Sequence, residues 1–320
     1  MNTAAPQHTP AGATGTPGAI DVRRGFLAAG VVVVCWSGFN IVSRMGGKSP
    51  LTPFDLAALR FSVSALLMLP VFLRSRSTST LTLQQRLLLA LAGGMAYALF
   101  AYTGFSLAPA AHAGVLVNGG IPLATTLIGW QLFGLQPTRR AWSALLVTLI
   151  GIVLVGYHGL RSSDPAHTLL GDACFLLAAV SWGFYGQLVR RWQIPPGLAA
   201  SNIAVCSALI YLPMYLLWLP KGYLHATHAQ VLLQAGYQGV VAGVIAAGCY
   251  SFATLRIGPT RASLMLALVP PISAVLAVPL LDEALTTETL AGAVLVTAGA
   301  LLGASGGSGI RNRRGSASPR

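Results

Sequence analysis

Acidic side chains are scarce in this sequence. Seven of its 320 residues are Asp or Glu, and all charged residues together make up 8% of the chain, about a third of what a soluble domain carries. A globular surface so poor in charge would expose large apolar patches, which excludes a soluble enzyme or a nucleic-acid-binding module. The four cysteines, Cys35, Cys174, Cys206 and Cys249, each stand alone inside apolar sequence. With no C-x-x-C pair and no Cys/His cluster, neither a disulfide framework nor a zinc site is supported. A phosphate-binding glycine loop and a Ser-His-Asp arrangement are missing too, so nucleotide-driven work by this chain alone is not expected. What is plentiful is apolar: 54% of residues are hydrophobic, and the 36 glycines and 19 prolines fall within the apolar runs, as they do in membrane helices.

The class is therefore an all-α polytopic membrane protein. Ten apolar segments, near 25–43, 55–73, 87–107, 112–133, 141–158, 168–189, 198–219, 231–254, 260–281 and 288–305, each approach the roughly 20 residues that cross a bilayer. They are apolar all round, without the period-two alternation of a barrel strand, so they are expected to be helices. Residues 1–24 read as a disordered cytoplasmic tail rather than a cleaved leader, and residues 306–320 as a basic cytoplasmic tail. With both termini in the cytoplasm, 15 of the 20 basic residues fall on the inner side. Four (Arg44, Lys48, Arg161 and Lys221) fall outside and Arg60 lies within the second segment, the asymmetry that orients membrane proteins.

The two halves resemble each other. Trp36 precedes Arg44 as Trp182 precedes Arg190, and at one common offset Tyr102 matches Tyr250, Pro122 matches Pro270, Thr138 matches Thr286 and Gly151 matches Gly299. Two repeats follow, over residues 25–158 and 168–305, with five segments each. An odd number of crossings inverts the second repeat relative to the first, the geometry of alternating access.

Several stretches also carry a family likeness: the region of Trp36, Arg60-Phe61, Pro122 in a small-residue fourth segment, and Gly171-Asp172 followed by Trp182. So do Pro259-Thr-Arg-Ala-Ser-Leu264 through Pro270, and Leu281-Asp-Glu-Ala-Leu-Thr286. On these residues the sequence resembles the drug/metabolite transporter superfamily, in particular its EamA-type ten-helix exporters. Glu283 fits the family's acidic position, whereas Leu135 stands in the first half where the family usually has Glu. The resemblance implies a carrier of the plasma (inner) membrane for small organic metabolites, often amino acids or their derivatives. It also implies a central cavity formed by segments 1, 3, 4, 6, 8 and 9.

No carboxylate lies deep in a segment; Asp55 and Asp172 are read as outer-end groups, which favours facilitated diffusion or exchange, or coupling through a group the sequence does not reveal. Arg60 either snorkels to the outer headgroups or contacts an anion at the mouth of the cavity. The solute-binding candidates are Asn40, Arg60, Tyr97, Tyr102, Asn118, Trp182, Tyr185, Tyr250 and Ser263, because polar groups in hydrocarbon must face protein or a wet cavity. Gly119, Gly120, Pro122 and Pro270 are hinge candidates, with a static packed kink as the alternative. The histidines, His112 among them, are expected to be solvated. The expected function is a secondary transporter exporting small organic metabolites by alternating access; the alternative is a membrane-embedded enzyme or a lipid-handling subunit. No cofactor or metal is expected. Expected partners are a small-molecule solute and membrane lipids, with a homodimer left open and no nucleic acid.

Overall fold

A computed structural model describes residues 19–76, 79–304 and 310–311. Ten helices in it are long and apolar enough to cross a membrane: α1 (Ala19–Gly47), α2 (Pro53–Arg76), α3 (Leu83–Leu107), α4 (Ala110–Phe133), α5 (Arg139–Leu160), α6 (Pro165–Arg191), α7 (Pro196–Trp218), α8 (His228–Ile257), α9 (Pro259–Leu281) and α10 (Thr287–Ala304). The shortest, α10, has 18 residues and reaches about 27 Å at about 1.5 Å per residue, close to the bilayer core. Leu66, Leu209 and Leu255 are 73%, 69% and 82% exposed, so the flanks are surfaces for lipid rather than water. The chain is a multi-pass membrane protein. Helix α1 begins at Ala19, inside the stretch expected to be a tail; residues 1–18 and most of 306–320 lie outside the described residues.

Contacts between the helices follow a pseudo-two-fold plan. Helix α1 packs on α8 as α6 packs on α3, and α4 packs on α6 as α9 packs on α1. Helices α2 and α7 pair with each other, as do α5 and α10. The α5–α10 crossing is the tightest seam. A Cβ on Gly151 would sit 2.8 Å from the Gly292 carbonyl oxygen, and one on Gly292 would sit 2.9 Å from that of Gly151. Only glycine at both places lets these backbones touch.

A second sign of duplication lies in α3 and α8. Each opens with a capping box, Thr82 with Gln85 and Thr227 with Gln230. Each then runs seven residues as α-helix before widening into a π-helix, at Ala90–Ala96 and Ala235–Ile245. A π-helix disturbs the regular backbone ladder, and neighbouring serines meet its carbonyls. Ser181 and Ser207 donate to Ala92 and Ala90 (2.7 and 3.2 Å), and Ser64 donates to Gly239 (3.2 Å).

The repeats diverge at their prolines. Helix α4 runs unbroken through Pro122. Helix α9 is interrupted at Ala267–Leu268 and restarts at Val269, with Pro270 in its first turn, where a missing N–H costs nothing. We call the end of the bundle with the chain termini the termini end. The opposite end, with the loops before α2, α4, α6, α8 and α10, is the far end.

Candidate solute site between the repeats

Arg60 lies seven residues into α2, about 10 Å from its start at the helical rise. Its guanidinium carbon is 5.7 Å from the Phe39 ring centroid and 6.0 Å from that of Tyr97, and it also approaches the Tyr102 hydroxyl. The group thus turns inward, against the snorkelling alternative. All seven carboxylates are among the described residues, and none lies within ion-pair distance of it. Asp21 pairs with Arg256 at 3.2 Å, Glu283 with Arg44 at 2.7 Å, Asp172 with His112 and Asp164 with His167. Asp55 accepts from Thr52, the Gly222 N–H and the Tyr215 hydroxyl.

From Arg60 a line of rings crosses to the second repeat. Tyr97 and Trp182 have centroids 4.8 Å apart, and Trp182 and Tyr185 5.1 Å apart. Tyr102 is fixed below them by a buried polar ladder. Its hydroxyl donates to Gln238 Oε1 (3.0 Å), and Gln238 Nε2 donates to Ser43 Oγ (3.0 Å) and Gln234 Oε1 (3.1 Å). Gln234 Nε2 in turn donates to the Val42 carbonyl (2.7 Å). Every member therefore has a partner, as a buried network requires. Sequence reasoning did not single out Phe39, Ser43 and Gln234. Gln234 and Gln238, one helical turn apart in an apolar segment, were the available signal.

The other expected site residues lie elsewhere. Asn40 is 4% exposed and donates to Ser273 Oγ at 2.9 Å, so its amide staples α1 to α9 instead of lining a cavity. Asn118 is half-buried and turns its amide back to the Gly114 carbonyl, 3.0 Å away in its own helix. Tyr250 lies against Trp36 with centroids 5.8 Å apart and ring planes tilted by 35°, an aromatic contact between α1 and α8 as Tyr97–Trp182 is one between α3 and α6, and packs beside Ala29, Ala253 and Ile257. Ser263 is exposed on the segment before the break in α9. Gly119 and Gly120 are close-packing positions, since a Cβ there would meet Val296 at 2.9 Å and Ala179 at 2.7 Å. His112, expected to be solvated, is completely buried, and Asp172 is 5% exposed; one carboxylate is thus sequestered inside the helix bundle.

The far end is closed by an ion cluster. Glu283, after α9, accepts from Arg44 Nε on α1 (2.7 Å) and from the Ala110 N–H that opens α4 (2.8 Å). Arg44 also donates to the Phe105 carbonyl (2.7 Å), and Lys48 to that of Leu281 (2.8 Å). One carboxylate therefore ties both repeats together. Two apolar grooves lie on the flanks, one along α1 at Phe26 and Val31, the other between α5 and α6 at Ile152 and Leu176.

Comparison with known proteins agrees with this architecture. A solved crystal structure 21% identical in sequence superimposes with a TM-score of 0.57, covering 88% of this chain and 95% of its own, which shows the fold. A Salmonella typhimurium protein named "Probable amino-acid metabolite efflux pump" is 30% identical over 87% of this chain and 93% of its own. An Escherichia coli protein of the same name is 27% identical over 87% and 93%. The model of the EamA-like transporter family matches twice, at residues 23–157 and 169–304, one match for each half of the pseudo-symmetric bundle. Two inverted five-helix units and exporters among its relatives make this chain a transporter and not an enzyme: it belongs to the EamA-like transporter family.

Proposed function

We propose that the protein exports small carboxylate-bearing metabolites, amino acids or their derivatives, across the plasma membrane by alternating access. The observation that carries this reading is Arg60, an interior guanidinium that no carboxylate among the described residues neutralises. An uncompensated charge in a low-dielectric interior is costly. A solute carboxylate would supply the missing partner, in the two-pronged geometry that suits arginine. Tyr97, Trp182 and Tyr185 offer flat faces beside it for an apolar body or an ammonium group. The names of the Salmonella and Escherichia coli relatives agree with such a solute. The excess of arginine at the termini end supports cytoplasmic termini, and in that orientation the Glu283 cluster stands at the outer face. The halves then rock about the α4–α9 contact, where Gly114 lies against Pro270.

Reconstituted proteoliposomes test the reading, with a panel of radiolabelled amino acids and the amines left when each loses its carboxyl group. Saturable, trans-stimulated movement of acids but not amines is expected. Arg60→Gln should weaken apparent affinity about 10- to 100-fold, the worth of one charge-assisted contact, and Arg60→Lys should recover part of the loss. Equal handling of acids and amines, or unchanged transport in Arg60→Gln, would remove Arg60 from the site.

A further inference from the structure

Near the far end of the α4–α6 seam, His112 Nδ1 lies 2.8 Å from Asp172 Oδ1, with both side chains buried. Among the described residues, three buried side-chain polar atoms have no hydrogen-bond partner; two of them are the remaining atoms of this pair, His112 Nε2 and Asp172 Oδ2. Buried polar atoms are nearly always satisfied, so two orphans on one contacting pair call for a reason. With Nδ1–H donating to an ionised Asp172, the orphans are a bare imidazole nitrogen and a carboxylate oxygen. Both are acceptors without a donor. A proton bound at Nε2 makes an imidazolium beside the carboxylate and takes the pair from net −1 to neutral, while Asp172 Oδ2 stays an open acceptor.

The surroundings supply a second imidazole and a lever. The His158 ring of α5 lies 5.4 Å from the His112 ring, and the groove between α5 and α6 reaches Asp172. Other charged groups stand on the elements around the pair. Glu288 lies in the first turn of α10, and Glu283, tied to Arg44 of α1 and to Lys48 just after it, holds the Ala110 N–H two residues before His112. The His167–Asp164 pair lies exposed at the start of α6. Helix α4 belongs to the first repeat and α6 to the second, so motion of one repeat against the other works on the seam that holds the pair.

We infer that His112 and Asp172 form a proton-binding site whose loading is coupled to the movement of the repeats, so that solute leaves the cell against an entering proton. The exchange balances: one proton from the outer aqueous phase lands on His112 Nε2 and is released inward when the seam opens. The coupling rests on the transport reading above; the proton site itself does not.

Two arms separate them. The first uses protons as the only ligand. Full-length protein with ring-labelled histidine, in lipid nanodiscs without solute, is stepped in pH and followed by infrared difference spectroscopy. Imidazole bands of a buried histidine should respond, and should vanish in His112→Gln and change in Asp172→Asn. The swapped pair His112→Asp with Asp172→His should restore a response. If every variant misfolds, the wild type decides, because a spectrum with no buried histidine changing protonation overturns the site.

The second arm imposes a pH gradient on proteoliposomes loaded with whichever amino acid the panel shows to be carried. One-for-one exchange gives about tenfold accumulation per pH unit. Asp172→Asn should abolish that dependence while leaving solute-for-solute exchange in place. A gradient response retained in Asp172→Asn overturns the coupling. A wild type that carries no member of the panel counts against the proposed function and, with it, the coupling, but leaves the first arm to decide the site.

Discussion

The two ends of the bundle are held by different chemistry. At the far end, six of the seven carboxylates gather among the loops, and several act between distant helices. Glu283 joins α1, α4 and α9, Asp55 joins the α1–α2 turn to α7 and the α7–α8 loop, and Asp172 meets His112 across the α4–α6 seam. The termini end has Asp21, bonded to the half-exposed Arg256, and otherwise weaker contacts. Arg191 sits 5.0 Å over the Phe133 ring, and Arg86 lies 3.5 Å from Asn202. Leu135 occupies the place related to Glu283. Under the alternating access proposed above, in a bundle whose halves are nearly interchangeable in fold, this inequality would bias the resting state toward one shut end. The shut end is the one with the carboxylates, because a buried carboxylate with several donors resists separation far more than a cation over an aromatic face.

Four substitutions test that contrast. The largest effect is expected from Glu283→Leu, which makes the far end resemble the termini end. It leaves Arg44, whose side chain is 14% exposed, without its counter-ion, a loss of about 3–5 kcal/mol for a broken buried pair. Thermal unfolding in detergent should fall by several degrees, and thiol reagents should reach a cysteine placed at Phe105 faster. An unaltered melting point would show that the cluster does not hold this end closed. Smaller and matched effects are expected from Ser64→Ala and Ser207→Ala, each removing a hydroxyl from a π-helix carbonyl. Each should cost about 1 kcal/mol by the same unfolding assay, and a large difference between them would break the equivalence of α3 and α8. The smallest is Leu135→Glu, which places a carboxylate two residues after Phe133, the ring under the exposed Arg191. An exposed pair is worth about 0–1 kcal/mol, so stability should hardly move. Transport should slow as the termini end gains a tie of its own, and an unchanged turnover would mean that opening of that end does not limit the cycle.

Crossings and duplication were legible in the sequence because both are written locally. Hydrophobic length decides a membrane helix wherever it sits, and matched pairs such as Pro122 with Pro270 keep their order along the chain. Arg60 could be seen as the odd charge within α2, and Tyr97, Tyr102, Trp182 and Tyr185 as aromatics on neighbouring segments, but their meeting could not. Contact depends on how α2, α3 and α6 turn about their own axes, and helices that are apolar all round carry little record of that rotation. His112 and Asp172 show the difficulty from the other side. Each sits near a helix start, where water is the ordinary partner, and nothing within 60 residues says that the two face each other. For Asn40 the sequence requires a protein partner or a wet cavity, and only the fold shows that the partner is Ser273 on the opposite repeat. The capping boxes at Thr82 and Thr227 are local enough to read as helix starts, but nothing in them announces the π-helical segments that follow.

The glycine crossing of α5 and α10 has a consequence for how the chain is made. Gly151 emerges from the ribosome about half a chain before Gly292, so the first repeat must wait in the bilayer with that face bare until the last helix is inserted. During that interval the small-residue stripe of α5 is open to any passing helix of similar shape, including α10 of another copy. Fidelity of assembly at this seam therefore depends on speed of synthesis as much as on fit.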